Sequence, residues 1–254
     1  MDVVASEWLK MRTIRSTWWT LGTALVLTIG FGVLLSAATA AISGSEDGPS
    51  LGAVDAVSTS LAGMLFGEVT LAVFGVLFIT SEYSTGGIRT TLVAVPRRSW
   101  VVVGKAVVVG VATVVVGAVA VFVSFVAGQA LLATQGLSVG IGDPGVLRAL
   151  VGSALYLGAA ALFGLGVGLV VRNTGGGITA AIVGLVILPS LGALLPGRVG
   201  DTVAKFITSN AGRQVTFVEP AANGLSPWVG YAVFVAWGVA LLVAGTILLR
   251  RRDA

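Results

Sequence analysis

The sequence predicts an all-α polytopic membrane protein, with six transmembrane helices and a short N-terminal interfacial amphipathic helix. Three observations carry that expectation. Hydrophobic residues make up 56% of the 254-residue chain and charged residues only 10%, whereas an average soluble domain carries about a quarter charged side chains. Mean hydropathy is +1.01. The apolar residues gather into six runs, each near the length of about 20 helical residues that crosses a hydrocarbon core of about 30 Å. Inside lipid such runs must be helical, because no water is there to satisfy open backbone.

The elements follow in chain order, and 1–254 reads as one transmembrane domain. In the leading segment, 2–15, Val4, Trp8, Met11 and Ile14 recur at spacings of four and three and share a helical stripe. Ser6, Lys10 and Thr13 lie opposite, and Glu7 can pair with Lys10 at i+3. A helix in the headgroup layer is one reading; a merely topogenic basic flank is the other. The first span, 18–42, holds no ionisable group. A signal peptide cleaved near Ala38-Thr39-Ala40 is the rival there. The run is longer than the usual apolar core of about 7–15 residues, and Asp2 and Glu7 precede it, so the first span is expected to be retained.

The second span, 58–80, contains the one ionisable side chain within a predicted span, Glu68. A charge at the bilayer centre costs about 2.5–3.5 kcal/mol on insertion scales. Glu68, placed about midway, therefore faces the bundle interior or is neutralised. It is either a polar site on a substrate path or a hydrated structural contact to a neighbouring helix. The third span, 106–134, starts just after Lys105, taken as a boundary charge. The fourth and fifth are 149–171 and 178–195, the latter carrying Pro189. Gly164 and Gly168, and likewise Gly184 and Gly192, allow close helix approach, either within the bundle or against a second subunit. In the connection 196–227, Val203, Phe206 and Ile207 interleave with Lys205, Asn210 and Arg213, the pattern of a short half-buried helix. The sixth span, 225–249, ends at Arg250-Arg251-Arg252.

Orientation follows from lysine and arginine, whose excess marks cytoplasmic loops. Eleven of the 15 lie on the side of the termini: Lys10, Arg12, Arg15, Arg89, Arg97, Arg98, Lys105, Arg172 and Arg250 to Arg252. Four lie opposite, Arg148, Arg198, Lys205 and Arg213, among six acids. Both termini are expected in the cytoplasm. The net charge of +4 then describes a basic rim facing anionic lipid. No aromatic platform interleaves with the charges, so nucleic acid is not an expected partner.

With no His and no Cys, zinc centres built on thiolate or imidazole, cysteine nucleophiles and Ser-His-Asp triads are excluded. A phosphate-cradling loop needs G-x-x-x-x-G-K-[ST]. Gly104-Lys105 is followed by Ala106 and preceded at the required spacing by Ser99. The chain is expected to bind no nucleotide and to need no cofactor.

The connection between spans two and three is the richest polar stretch. It runs Ser81-Glu82-Tyr83-Ser84-Thr85-Gly86-Gly87-Ile88-Arg89 and later Pro96-Arg97-Arg98. Gly86-Gly87 marks a turn, Pro96 ends any helix over 88–94, and Ile88, Leu92 and Val95 can form an apolar docking edge. The alternative is a solvated loop whose arginines only set topology.

This stretch and the run from Ser6 to Trp19 resemble the permease subunits of bacterial ABC exporters of the second export class, particularly actinobacterial ones. The topology agrees along the whole chain; the specific likeness lies in those two segments. Gly87 stands where many relatives carry Thr. The resemblance implies two permease copies, identical or paralogous, assembled with separately encoded ATP-binding subunits in a bacterial cell membrane. It places Glu7, Lys10, Arg12, Glu82, Tyr83, Thr85, Gly86, Arg89, Arg97 and Arg98 at the contact that senses ATP, and a re-entrant segment before span six at the exit. The alternatives are an ion-coupled secondary transporter, which usually shows repeats and several intramembrane polar groups, and a non-transporting membrane scaffold or immunity protein.

Overall fold

The computed structural model describes residues 2–43, 56–87, 98–192, 197–221 and 223–251. Among them are six helices long and apolar enough to cross a membrane: Arg15–Ser43, Met64–Ser84, Ser99–Gln135, Val146–Val171, Thr174–Gly192 and Pro227–Arg251. No strand occurs among the described residues. A short helix, Asp2–Thr13, precedes the first span.

Three spans start four or more residues from the expected position. The second span does not start at Ser58: a short helix, Ala56–Ser60, leads through a turn into the continuous helix from Met64. Glu68 consequently lies one turn from the start of its helix rather than midway. The third helix begins at Arg98 and runs straight through Lys105, because that lysine is neutralised by neighbours remote in sequence. The fifth begins at Thr174, only two residues after the fourth ends, with Asn173 Oδ1 accepting the Gly176 N–H as an N-cap.

The fourth span is the centre of the bundle, and its glycines let neighbours close on it. A Cβ on Gly164 would run into the Ala72 carbonyl, and one on Gly75 into that of Ala161. Spans two and four therefore touch nearly backbone to backbone, the contact that small residues permit where lipid supplies no hydrophobic drive. Gly158 faces Val114 of span three and Gly166 faces Leu241 of span six. Gly168 packs on Ile79, Gly184 on Phe163 and Gly192 on Ile207. The glycine pairs thus serve packing within this chain.

Span five contains a π-helical turn, Val183–Ile187, just before Pro189. Proline has no N–H to donate, which frees the carbonyls four and five residues back, those of Leu185 and Gly184. Ser209 Oγ donates to the Leu185 carbonyl at 2.7 Å, and Thr208 Oγ1 donates to that of Gly184. Asn210 Nδ2 donates to the Pro189 carbonyl at 3.3 Å. These three residues open the short helix Thr208–Gly212. The connection before span six is therefore folded back into the bundle. A first helix, Gly197–Phe206, leaves Val203 and Phe206 exposed; the buried portion is the second, where Gly212 lies against Tyr156 and Phe234.

The membrane-crossing helices bring two ends together. One holds the N-terminal helix, the end of span two, the start of span three and the ends of spans four and six. The other holds Ala56–Ser60, the end of span three and the 208–216 segment. At this distal end Gln129 Nε2 donates to Ser60 Oγ and the Ala56 carbonyl, both at 2.9 Å, and Ser124 Oγ donates to the Ser60 carbonyl.

Replacing Gly164 by Val should force spans two and four apart, costing about 1–3 kcal/mol or more. Gly22→Ala, where nothing lies within 4 Å of a new Cβ, should be silent. Equal thermal midpoints for the two variants in detergent would refute the close contact.

Candidate functional site

The N-terminal helix does not use its inner face as the sequence suggests. Met11 is buried, but Val4, Trp8 and Ile14 are exposed. The face turned inward carries Glu7, which is completely buried. Glu7 is there because Lys105 of the third span is there, 1% exposed. Lys105 Nζ lies 2.6 Å from Glu7 Oε2 and 2.6 Å from Glu82 Oε1. Lys10 closes the ring, its Nζ 2.8 Å from Glu7 Oε1 and 2.9 Å from Glu82 Oε1. The i,i+3 pair read in the sequence exists, as one side of a cluster of two cations and two anions. The Lys105 ammonium also stands 5.0 Å from the Phe78 ring centroid.

Two formal charges of each sign cancel, which is what allows such burial. Burial alone would lower the Lys10 pKa, but the hydrogen bonds and charges of Glu7 and Glu82 outweigh it and raise it above 10.5. The Lys10 contribution to stability is therefore complete below its ordinary pKa and is lost only as pH rises through the higher folded value.

Beside the cluster, Tyr83 lies half-buried under Arg172, whose guanidinium is 5.3 Å from the ring centroid. Arg172 ends the fourth span with φ 58°, a left-handed position that usually falls to glycine. Its Nη2 donates to the Leu248 carbonyl at 2.9 Å. One side chain thus clamps the ends of spans two, four and six. Glu82 Oε2 and the Tyr83 hydroxyl are buried with no hydrogen-bond partner among the described residues. Span two then stops where the turn was expected. Thr85 Oγ1 donates to the Ser81 carbonyl, and Gly86 takes φ +70°, so the left-handed residue is Gly86, leaving Gly87 free to vary. Arg12 is exposed. Arg89, Arg97 and the side chain of Arg98 lie outside the described residues, as do Ile88, Leu92, Val95 and Pro96.

At the distal end Glu68 is equally buried and equally paired. Glu68 Oε1 accepts the Tyr156 hydroxyl and Oε2 accepts Arg213 Nη2, both at 2.6 Å. Arg213 follows Thr208–Gly212 in the re-entrant segment, so the carboxylate on span two is answered from the connection before span six. Burial by itself would lower the Arg213 pKa, but the Glu68 charge raises it above the ordinary arginine value. A lone intramembrane carboxylate demands a cation nearby, and only Arg148, Arg198, Lys205 and Arg213 lie on that side of the sequence. That signal narrows the partner to four without choosing it. Arg148 is spent elsewhere, its Nη2 donating to the carbonyls of Phe217 and Val218.

A family model for the ABC-2 family transporter protein matches residues 3–190. The chain belongs to the ABC-2 transporter family. No curated protein sequence matches it. Within an ABC-2 transporter this chain is the membrane permease component: the family match and the six apolar helices agree on that role. The match includes Glu7, Lys10, Glu68, Glu82, Lys105 and Tyr156 but stops before Arg213.

Two asymmetries test these clusters. Lys105→Ala should lower stability by about 3–5 kcal/mol because it leaves buried carboxylates uncompensated. Lys10→Ala, whose side chain is 36% exposed, should cost no more than about 1 kcal/mol. At the distal end Arg213→Gln should be worse than Glu68→Gln, since the carboxylate is the deeper partner, 1% exposed against 35%. Thermal unfolding of purified variants in detergent gives both comparisons, and a reversed order in either pair would overturn the account of that cluster.

Proposed function

We propose that this permease works in a bacterial cell membrane as part of an ATP-driven exporter, both termini cytoplasmic, with ATP hydrolysis in a separate subunit. Two permease copies form the path, and the end of the bundle carrying the termini docks the ATPase. The observation that carries this reading is the Glu7–Lys105–Glu82–Lys10 cluster. It joins the N-terminal helix, the end of span two and the start of span three into one body. A push delivered at this end is therefore felt at the heads of two spans.

The coupling surface takes in Glu7, Lys10, Arg12, Glu82, Tyr83, Thr85, Gly86, Arg89, Arg97 and Arg98. Glu7 and Lys10 hold its geometry from beneath, and the exposed Thr85, Gly86 and Arg12 face the partner. Val4, Trp8, Leu9, Ile14, Trp18 and Trp19 are exposed around the N-terminal helix. They suit the headgroup layer of the membrane, where tryptophan concentrates. Lys105, the lysine of the chain's one Gly-Lys pair, is engaged by two carboxylates within a helix and offers nothing to a phosphate. The pairing of Glu68 with Arg213 favours the ATP-driven reading over an ion-coupled transporter, which would need a carboxylate free to exchange its proton.

Co-purification tests the assignment. Glu82→Ala combined with Arg89→Ala should reduce the ATPase recovered with the permease by about tenfold, as loss of central interface contacts does, while membrane insertion persists. Full recovery together with full ATP-stimulated transport would remove these residues from the coupling surface.

A further inference from the structure

Beyond the Glu68 pair, at the distal end, lie two adjoining cavities that share Arg213 and Phe217. The inner one, 180 Å³, reaches Glu68 and Tyr156. The outer one, 490 Å³, is lined by Lys205, Asn210, Arg213, Gln214 and Asn223, with Phe217 on its apolar wall. Among the described residues, no acidic side chain lines the outer cavity. Arg213 meets Glu68 through Nη2, and its side chain remains 35% exposed. It makes no other ion pair among the described residues, and Lys205 makes none there. Two cations, one of them already held on its inner edge by Glu68, beside amide side chains and an aromatic wall, form a receptor for a compact anion carrying an apolar tail. Beside it Trp237 donates its indole N–H to the Phe206 carbonyl at 3.0 Å, and both rings are exposed.

We propose that this cavity binds the anionic head, phosphate or carboxylate, of an amphiphile, with Lys205 and the outward edge of Arg213 as its cationic contacts. As a step in export this rests on the permease reading above; as a binding site it does not. Glu68 is then the internal counter-ion: it holds Arg213 when the site is empty and competes with the ligand for the guanidinium. Competition gives the site a signature that a structural pair lacks, because removing the carboxylate should strengthen anion binding.

The experiment uses the full chain in phosphatidylcholine nanodiscs without ATPase, so its outcome is independent of any failure in coupling. Lysophosphatidic acid, lysophosphatidylcholine and inorganic phosphate are titrated and followed by calorimetry. Lysophosphatidic acid should bind about tenfold more tightly than its choline ester, and Lys205→Ala should weaken it by about tenfold, one charge-assisted contact. Glu68→Gln should tighten it. Inorganic phosphate binding with the same Lys205 dependence supports the site with a soluble anion as its source. Binding of the lysolipid alone supports it with a lipid source. Equal affinities for the two lysolipids, or a Lys205→Ala variant that binds as the parent does, would overturn the proposal. Among the described residues Lys205 makes no ion pair, so the test survives if Glu68→Gln proves unstable.

Discussion

A lysine ammonium with almost no exposure, at the head of a long apolar helix, has to be met by negative charge or the helix cannot be placed there. Lys105 is met twice, by Glu7 from the chain's first helix and by Glu82 from the end of span two. Most of the architecture at that end follows. The N-terminal helix must turn Glu7 inward, leaving Val4 and Trp8 to face outward, and span two must reach far enough to deliver Glu82. Glu82 in turn fixes where Tyr83 meets Arg172 and where Gly86 ends the helix. The cluster is weak evidence for high stability, since a buried ion pair seldom outperforms well-packed hydrocarbon. Its consequence is positional: in this register both carboxylates meet a buried cation.

The distal end solves the same problem differently. There the unsatisfied groups are largely backbone carbonyls, released where Pro189 interrupts span five. Thr208, Ser209 and Asn210 take them up, and in doing so fold the connection back into the bundle. Its next residues then bring Arg213 to Glu68. A proline on one element thus creates the acceptors that draw a second element inward, which supplies the cation that a third requires. This segment and span five are tied by several hydrogen bonds, but the segment meets span two through one ion pair. Relative movement of these parts at the distal end therefore has to break the Glu68–Arg213 contact before much else.

Much of this was legible in the sequence and some was not, for identifiable reasons. Six apolar runs and a helix before them follow from composition and periodicity, and a local motif singles out Glu82 and Tyr83, which the structure places in and beside the buried cluster. A window of sequence treats the Lys105 charge as an end of span; only a remote counter-charge makes it a residue within one. The expected stripe of Val4, Trp8, Met11 and Ile14 splits: Met11 is buried, Val4 and Trp8 are exposed, and Ile14 lies just past the end of the helix. Burial, however, went to the face bearing Glu7, since a paired carboxylate can be the inward side and a tryptophan can face outward in lipid. Arg172 entered only as one of many basic residues, and nothing local says that it ends a helix in a left-handed conformation.

By itself, then, the sequence determined the solvent of this protein: lipid over most of its length, with helices as the sole backbone able to live there. Hydropathy is a sum over neighbours in the chain, so it survives without knowledge of the fold. The tertiary structure alone decided which charges neutralise one another. Glu7 and Lys105, or Glu68 and Arg213, are far apart in sequence, and complementary charge has no preferred spacing along a chain. Only the packing of spans two and four through their glycines, and the return of the 208–216 segment, bring those groups within hydrogen-bond reach.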